Sequence, residues 1–70
     1  MDVNYRYIKA RYDEVKFVLE RFKKGNTIMI LERESVRNFL KALKNIRKEE
    51  SAYDFLPRGF VDEVKKIVEK

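Results

Sequence analysis

The apolar positions of the chain change rhythm several times. Val3, Tyr5 and Tyr7 alternate with Asn4 and Arg6, which predicts a short strand with one tyrosine-bearing face. Val15, Val18, Leu19 and Phe22 then follow the i, i+3, i+4, i+7 rule of a helix with one buried stripe. Asp13 suits the N-cap of that helix, and Tyr12 with Phe17 suits a hydrophobic staple across it. Lys23 and Lys24 suit the negative end of the helix dipole, and Gly25 the position just past it. These signals predict a helix over about 13–24. A rival reading runs one helix from about residue 3 to 24, with Ile8 and Tyr12 extending the stripe backwards.

Gly25-Asn26 signals a turn. Thr27-Ile28-Met29-Ile30-Leu31 is apolar without polar alternation, the pattern of a strand covered on both faces. Ser35 is placed to cap a helix over about 36–49, with Val36, Phe39, Leu40, Leu43 and Ile46 on its buried side. Ser51 with Asp54 resembles a capping box for a single turn at 52–56, and Pro57 and Gly59 then interrupt the chain. Val61, Val64, Ile67 and Val68 predict a last helix over Phe60–Glu69. The expected fold class is α+β, a small mixed domain in β-α-β-α-α order. The alternative is a mostly α chain with one strand. Two strands joined by a helix would be parallel, and a two-stranded sheet is marginal alone. Completion of the sheet by a second copy, and hence a homodimer, is therefore expected.

Composition narrows the class. Seventy residues allow one domain, near the lower size limit for folding alone. Leu, Ile, Val and Phe supply 22 of the 70, too many for a disordered chain. With Cys and His absent, neither a disulfide framework nor a structural zinc site is expected. The abundance of Lys, Arg and Glu, with no Gln, is thermophile-like. No apolar run is long enough to span a membrane, and the first residues lack the basic-then-apolar pattern of a signal peptide, so the cytoplasm is the expected compartment.

Catalysis is not expected. Thr27, Ser35 and Ser51 are the only hydroxyl nucleophiles besides the tyrosines, and the serines are better explained as caps. The carboxylate pairs Glu32/Glu34 and Glu49/Glu50 lie in no motif, and two glycines leave little for a phosphate-cradling loop. No cofactor or metal is expected.

The net charge of +5 permits an anionic partner. Arg37, Lys41, Lys44 and Lys48 are spaced 4, 3 and 4 apart, so on a helix they fall within a sector of roughly 60°. No acidic residue occurs between Val36 and Lys48. Such a row matches phosphate contacts to DNA or RNA, with Arg6, Lys9 and Arg11 in support beside tyrosines able to stack on bases. The bland reading is a solvated helix face, with Tyr5 and Tyr7 in the core. Phe55, Arg58 and Phe60 are candidates for a protein-docking knob, or for a loop pinned onto the core.

The order strand, helix, turn, helix from Thr27 onward resembles that of ribbon–helix–helix repressors. That resemblance implies pairing of strands from two chains, with alternate strand residues reading the major groove. Here those positions would be Thr27, Met29 and Leu31, or Ile28, Ile30 and Glu32, and neither set is polar enough to read bases. The expected function is a small basic nucleic-acid-binding or regulatory protein. The alternative is a protein–protein interaction module, such as an antitoxin-like inhibitor, assembly adaptor or accessory subunit, that binds through a strand edge or the Phe55–Phe60 segment.

Overall fold

A computed structural model describes residues 3–46 and 56–69. These residues form three helices: α1 (Val3–Lys23), α2 (Ile30–Asn45) and α3 (Phe60–Val68). There is no strand among the described residues, which overturns the α+β expectation and the β-α-β order. The mostly α alternative holds for its helices. The sheet-mediated dimer, and with it the likeness to ribbon–helix–helix proteins, loses the element it needed.

Both expected strands fail for physical reasons. The alternation at Val3–Tyr7 is only three apolar residues long. Ile8, Val15, Val18 and Leu19 are all buried on one continuous helical face, with half-buried Tyr12 packed beside them. No Gly or Pro interrupts residues 3–23, so the helix propagates through Asp13, which is exposed within α1 and caps nothing. Tyr12 forms no staple with Phe17. Its ring lies 5.2 Å from that of Phe60 on α3, while Phe17 is 61% exposed.

In the second apolar run only Ile28 is buried. Met29 is extended, with φ −75° and ψ 159°, and the helix starts at Ile30. The start is fixed by Glu32, whose carboxylate accepts the Met29 backbone N–H at 2.9 Å and suits the positive end of the helix. Ser35 therefore lies inside α2, and its hydroxyl donates to Glu14 on α1 at 3.4 Å rather than capping. At its other end α2 stops at Asn45, because Ile46 is extended with φ −74° and ψ 147°. The expected helix over 36–49 thus begins and ends too late.

The turn signals hold. After α1, the Gly25 N–H bonds to the Phe22 carbonyl and the Asn26 N–H to that of Arg21, both at 3.0 Å, with Gly25 at φ +84°. This is the Schellman pair that a left-handed residue past a helix end permits. Before α3, the Phe60 N–H bonds to the Pro57 carbonyl at 3.0 Å across Gly59, which has φ +80°. The proposed turn at 52–56 lies outside the described residues, apart from half-buried Leu56.

α1 and α2 form an antiparallel hairpin. Asn4 bonds to Asn45 at one end, Glu14 to Ser35 in the middle and Arg21 to Glu32 at the other. α3 packs on both. Phe60, Val64 and Ile67 join Phe39, Val36 and Leu43 of α2 and Val15, Val18 and Leu19 of α1 in one core. Each fully buried apolar side chain of this size contributes about 1.5–3 kcal/mol.

Candidate nucleic-acid interface

α2 buries Val36, Phe39 and Leu43 on one side, and the helical period then sends Arg37, Lys41 and Lys44 to the other. All three are exposed, within a sector of roughly 60° and over about 10 Å of helix axis. None has an acidic partner among the described residues. Lys48 lies outside the described residues.

The supporting cations of α1 divide. The antiparallel hairpin brings the first turns of α1 beside the last turns of α2, where Asn4 and Tyr7 meet Asn38, Lys41 and Asn45 around one groove. Arg11 lies on the Tyr7 side of α1. Its guanidinium is 5.7 Å from the Tyr7 ring centre and 3.6 Å from Glu14, so its charge is partly matched. Arg6 is exposed with no partner among the described residues, about 100° around α1 from Tyr7. Lys9 sits over the Tyr5 ring at 5.5 Å and, two residues from Tyr7, points away from the groove. Tyr5 and Tyr7 are half-buried, between the core and stacking roles weighed for them.

Elsewhere some charges are engaged, while Lys16, Lys24, Arg58, Lys65 and Lys66 are exposed, scattered over the three helices and their turns, and without an acidic partner among the described residues. Arg21 is paired with Glu32 and donates to the Thr27 carbonyl at 3.1 Å, and Lys23 meets Glu63 at 2.6 Å. The Met29 N–H and the Arg21 guanidinium hold the Glu32 carboxyl below the usual glutamate range. Glu32 and Glu34, two apart on a helix, do not face each other and make no acid–base pair. Glu49 and Glu50 lie outside the described residues. Among the described residues no group of acidic side chains is arranged to hold a metal ion, and no helix is long and apolar enough to cross a membrane.

Of the docking-knob residues, Phe55 lies outside the described residues and Arg58 is exposed in the turn before α3. Phe60 is buried, with its ring 6.1 Å from that of Phe39, so it is a core anchor that no partner can take without opening the fold. Sequence reasoning missed Asn4, Asn38 and Asn45. The seven-residue spacing of Asn38 and Asn45 was the available signal, because it places both on one side of a helix.

Comparison with protein families, curated proteins and solved structures finds no match for this chain.

Proposed function

We propose that this is a small, non-catalytic nucleic-acid-binding protein whose contacts are directed mainly at phosphates. The observation that carries the reading is the row Arg37, Lys41 and Lys44. These are three exposed cations in line on one helix face with no acidic partner among the described residues, whereas the other unmatched cations, Lys16, Lys24, Arg58, Lys65 and Lys66 among them, form no such row along α2. A cation already matched by a carboxylate gains little from a phosphate, whereas an unmatched one releases the phosphate's counterion. Arg6 adds a further unmatched charge on α1. Contacts of this kind give affinity on the order of micromolar at low salt and little dependence on sequence.

Fluorescence anisotropy with labelled duplex DNA, single-stranded DNA and RNA, each at low and moderate salt, tests this. Binding should weaken with salt, with a log–log slope of roughly −2 on a single strand if three phosphates are neutralised. The charge reversals K41E and K44E together should abolish it without lowering the melting temperature. Salt-independent binding, or none at low salt, would retire the reading.

A second reading rests on Met29, Ile30 and Leu31 at the start of α2, which are 66%, 78% and 75% exposed. Large apolar side chains left in water favour a protein contact. This replaces the strand edge and Phe60 as the surface for an interaction module. Self-association measured by sedimentation, and its loss in I30S/L31S, tests the simplest form of it.

A further inference from the structure

The groove between the first turns of α1 and the last turns of α2 narrows the class of nucleic acid. It is a shallow recess, widely open to solvent, with about 280 Å³ of space, and Asn4, Tyr7, Asn38, Lys41 and Asn45 supply its polar lining. The Asn4 amide donates to the Asn45 backbone carbonyl at 3.3 Å and ties the two helices together there. The side-chain amides of Asn38 and Asn45 are exposed and have no partner among the described residues. Each offers donors and an acceptor side by side, the pattern that matches a base edge. Tyr7 adds a half-buried ring, and bases stack on such rings whatever their identity.

Lys41 belongs both to this groove and to the cation row. A strand whose phosphates follow Arg37, Lys41 and Lys44 therefore passes the mouth of the groove. The groove is concave and lies between two helices, whereas reading a duplex requires a protruding element that enters the nucleic acid's own groove. Only a base turned out of its stack can enter here. A second recess, of about 450 Å³, lies at the other end of α1 and includes Lys23 and Glu63. Lys23 and Glu63 are already paired, the recess's other cation, Lys66, stands alone on α3, and none of its lining belongs to the cation row.

Resting on the phosphate-binding reading above, we propose that this groove receives an unpaired nucleobase, so that the protein selects single-stranded over duplex nucleic acid. The asparagines hydrogen-bond the base edge, Tyr7 packs against the base and Lys41 holds the adjoining phosphate.

The test measures anisotropy of the full chain with four probes of equal length: single-stranded RNA, single-stranded DNA, a DNA strand made abasic throughout, and duplex DNA. The parent protein should bind the base-bearing single strands roughly tenfold more tightly than the abasic strand, the scale of one base contact. It should also prefer them to the duplex. In N38A/N45A that advantage should shrink to what Tyr7 stacking supplies and in N38A/N45A/Y7A it should vanish, with the melting temperature of N38A/N45A unchanged. Comparison of the RNA and DNA arms shows whether the sugar is read. Equal affinity for abasic and base-bearing strands, or a preference for duplex, would overturn the groove proposal and leave the phosphate reading standing. Failure to bind any of the four would overturn both.

Discussion

The closed end of the α1–α2 hairpin, around residues 24–29, and its open end, where α1 begins and α2 finishes, hold their charges in different states. At the closed end Arg21 is paired with Glu32, Lys23 with Glu63, and Glu32 also holds the first N–H of α2. Charge there fastens helices to one another, and exposed Met29, Ile30 and Leu31 are the apolar surplus. At the open end Arg37, Lys41 and Lys44 have no such partners among the described residues, and the Asn38 and Asn45 amides stand beside them. Net charge alone does not distinguish these ends. What separates them is arrangement: at the closed end Arg21 and Lys23 face carboxylates and Lys24 and Lys66 stand singly, whereas at the open end the unmatched cations fall in one row, the feature on which the proposed anionic ligand rests.

The most severe way to break the comparison is to remove what joins the two ends. Phe39 is fully buried and meets Phe60 of α3. Phe39→Ala should cost about 3–5 kcal/mol. A domain of this length holds about 0.05–0.15 kcal/mol per residue, so this loss is a large share of the total and the melting temperature should fall steeply, with both ends melting together. Two separate transitions in circular dichroism would mean that the ends fold as separate units.

A smaller effect is expected at the turn that docks α3. Gly59 has φ +80°, and an added Cβ would meet nothing within 4 Å. The penalty of Gly59→Ala is therefore conformational only, about 1–2 kcal/mol. Each kcal/mol corresponds to about 4–8 °C in melting temperature for a domain of this size. An unchanged melting temperature would show that the turn relaxes to negative φ without disturbing α3.

The smallest effect sharpens the contrast by pH. Glu32 has a folded pKa below its ordinary value, so its ionised form stabilises the fold at neutral pH. That contribution declines as pH falls through the ordinary glutamate range and is absent below the lowered folded value. Glu32→Gln should melt slightly below the parent at pH 7, and the gap should close below about pH 4. A gap that stayed constant with pH would assign Glu32's role to shape rather than charge. The open-end reversals K41E and K44E should leave melting unchanged, since surface substitutions of this kind stay within about 0.5 kcal/mol.

Much of the helical content was legible from local pattern. The stripe Val15, Val18, Leu19 and Phe22, the stop at Gly25, the break at Pro57 and Gly59, and the stripe Val61, Val64, Ile67 and Val68 all reappear in the structure at or within a residue or two of where the spacing puts them. The row Arg37, Lys41 and Lys44 was equally legible, because a helix that buries Val36, Phe39 and Leu43 has no other direction in which to point it. Less of the candidate site was visible. Asn38 and Asn45 share a helix face by spacing alone, yet nothing local says that Asn4 and Tyr7 will face them.

By itself, then, the sequence determined the helical faces, the two glycine turns and the position of the cation row, since each depends on neighbours within one or two turns. Only the tertiary structure decided that Val3–Tyr7 and Ile30–Leu31 are helical rather than strands. A strand's stability comes from a pairing partner distant in sequence, and when none is supplied a short alternating or apolar run joins the helix beside it. The tertiary structure alone also set Phe60 against Tyr12 and Phe39, and brought the start of α1 to the end of α2. Those contacts span dozens of residues, and their formation depends on how three amphipathic faces close over one core.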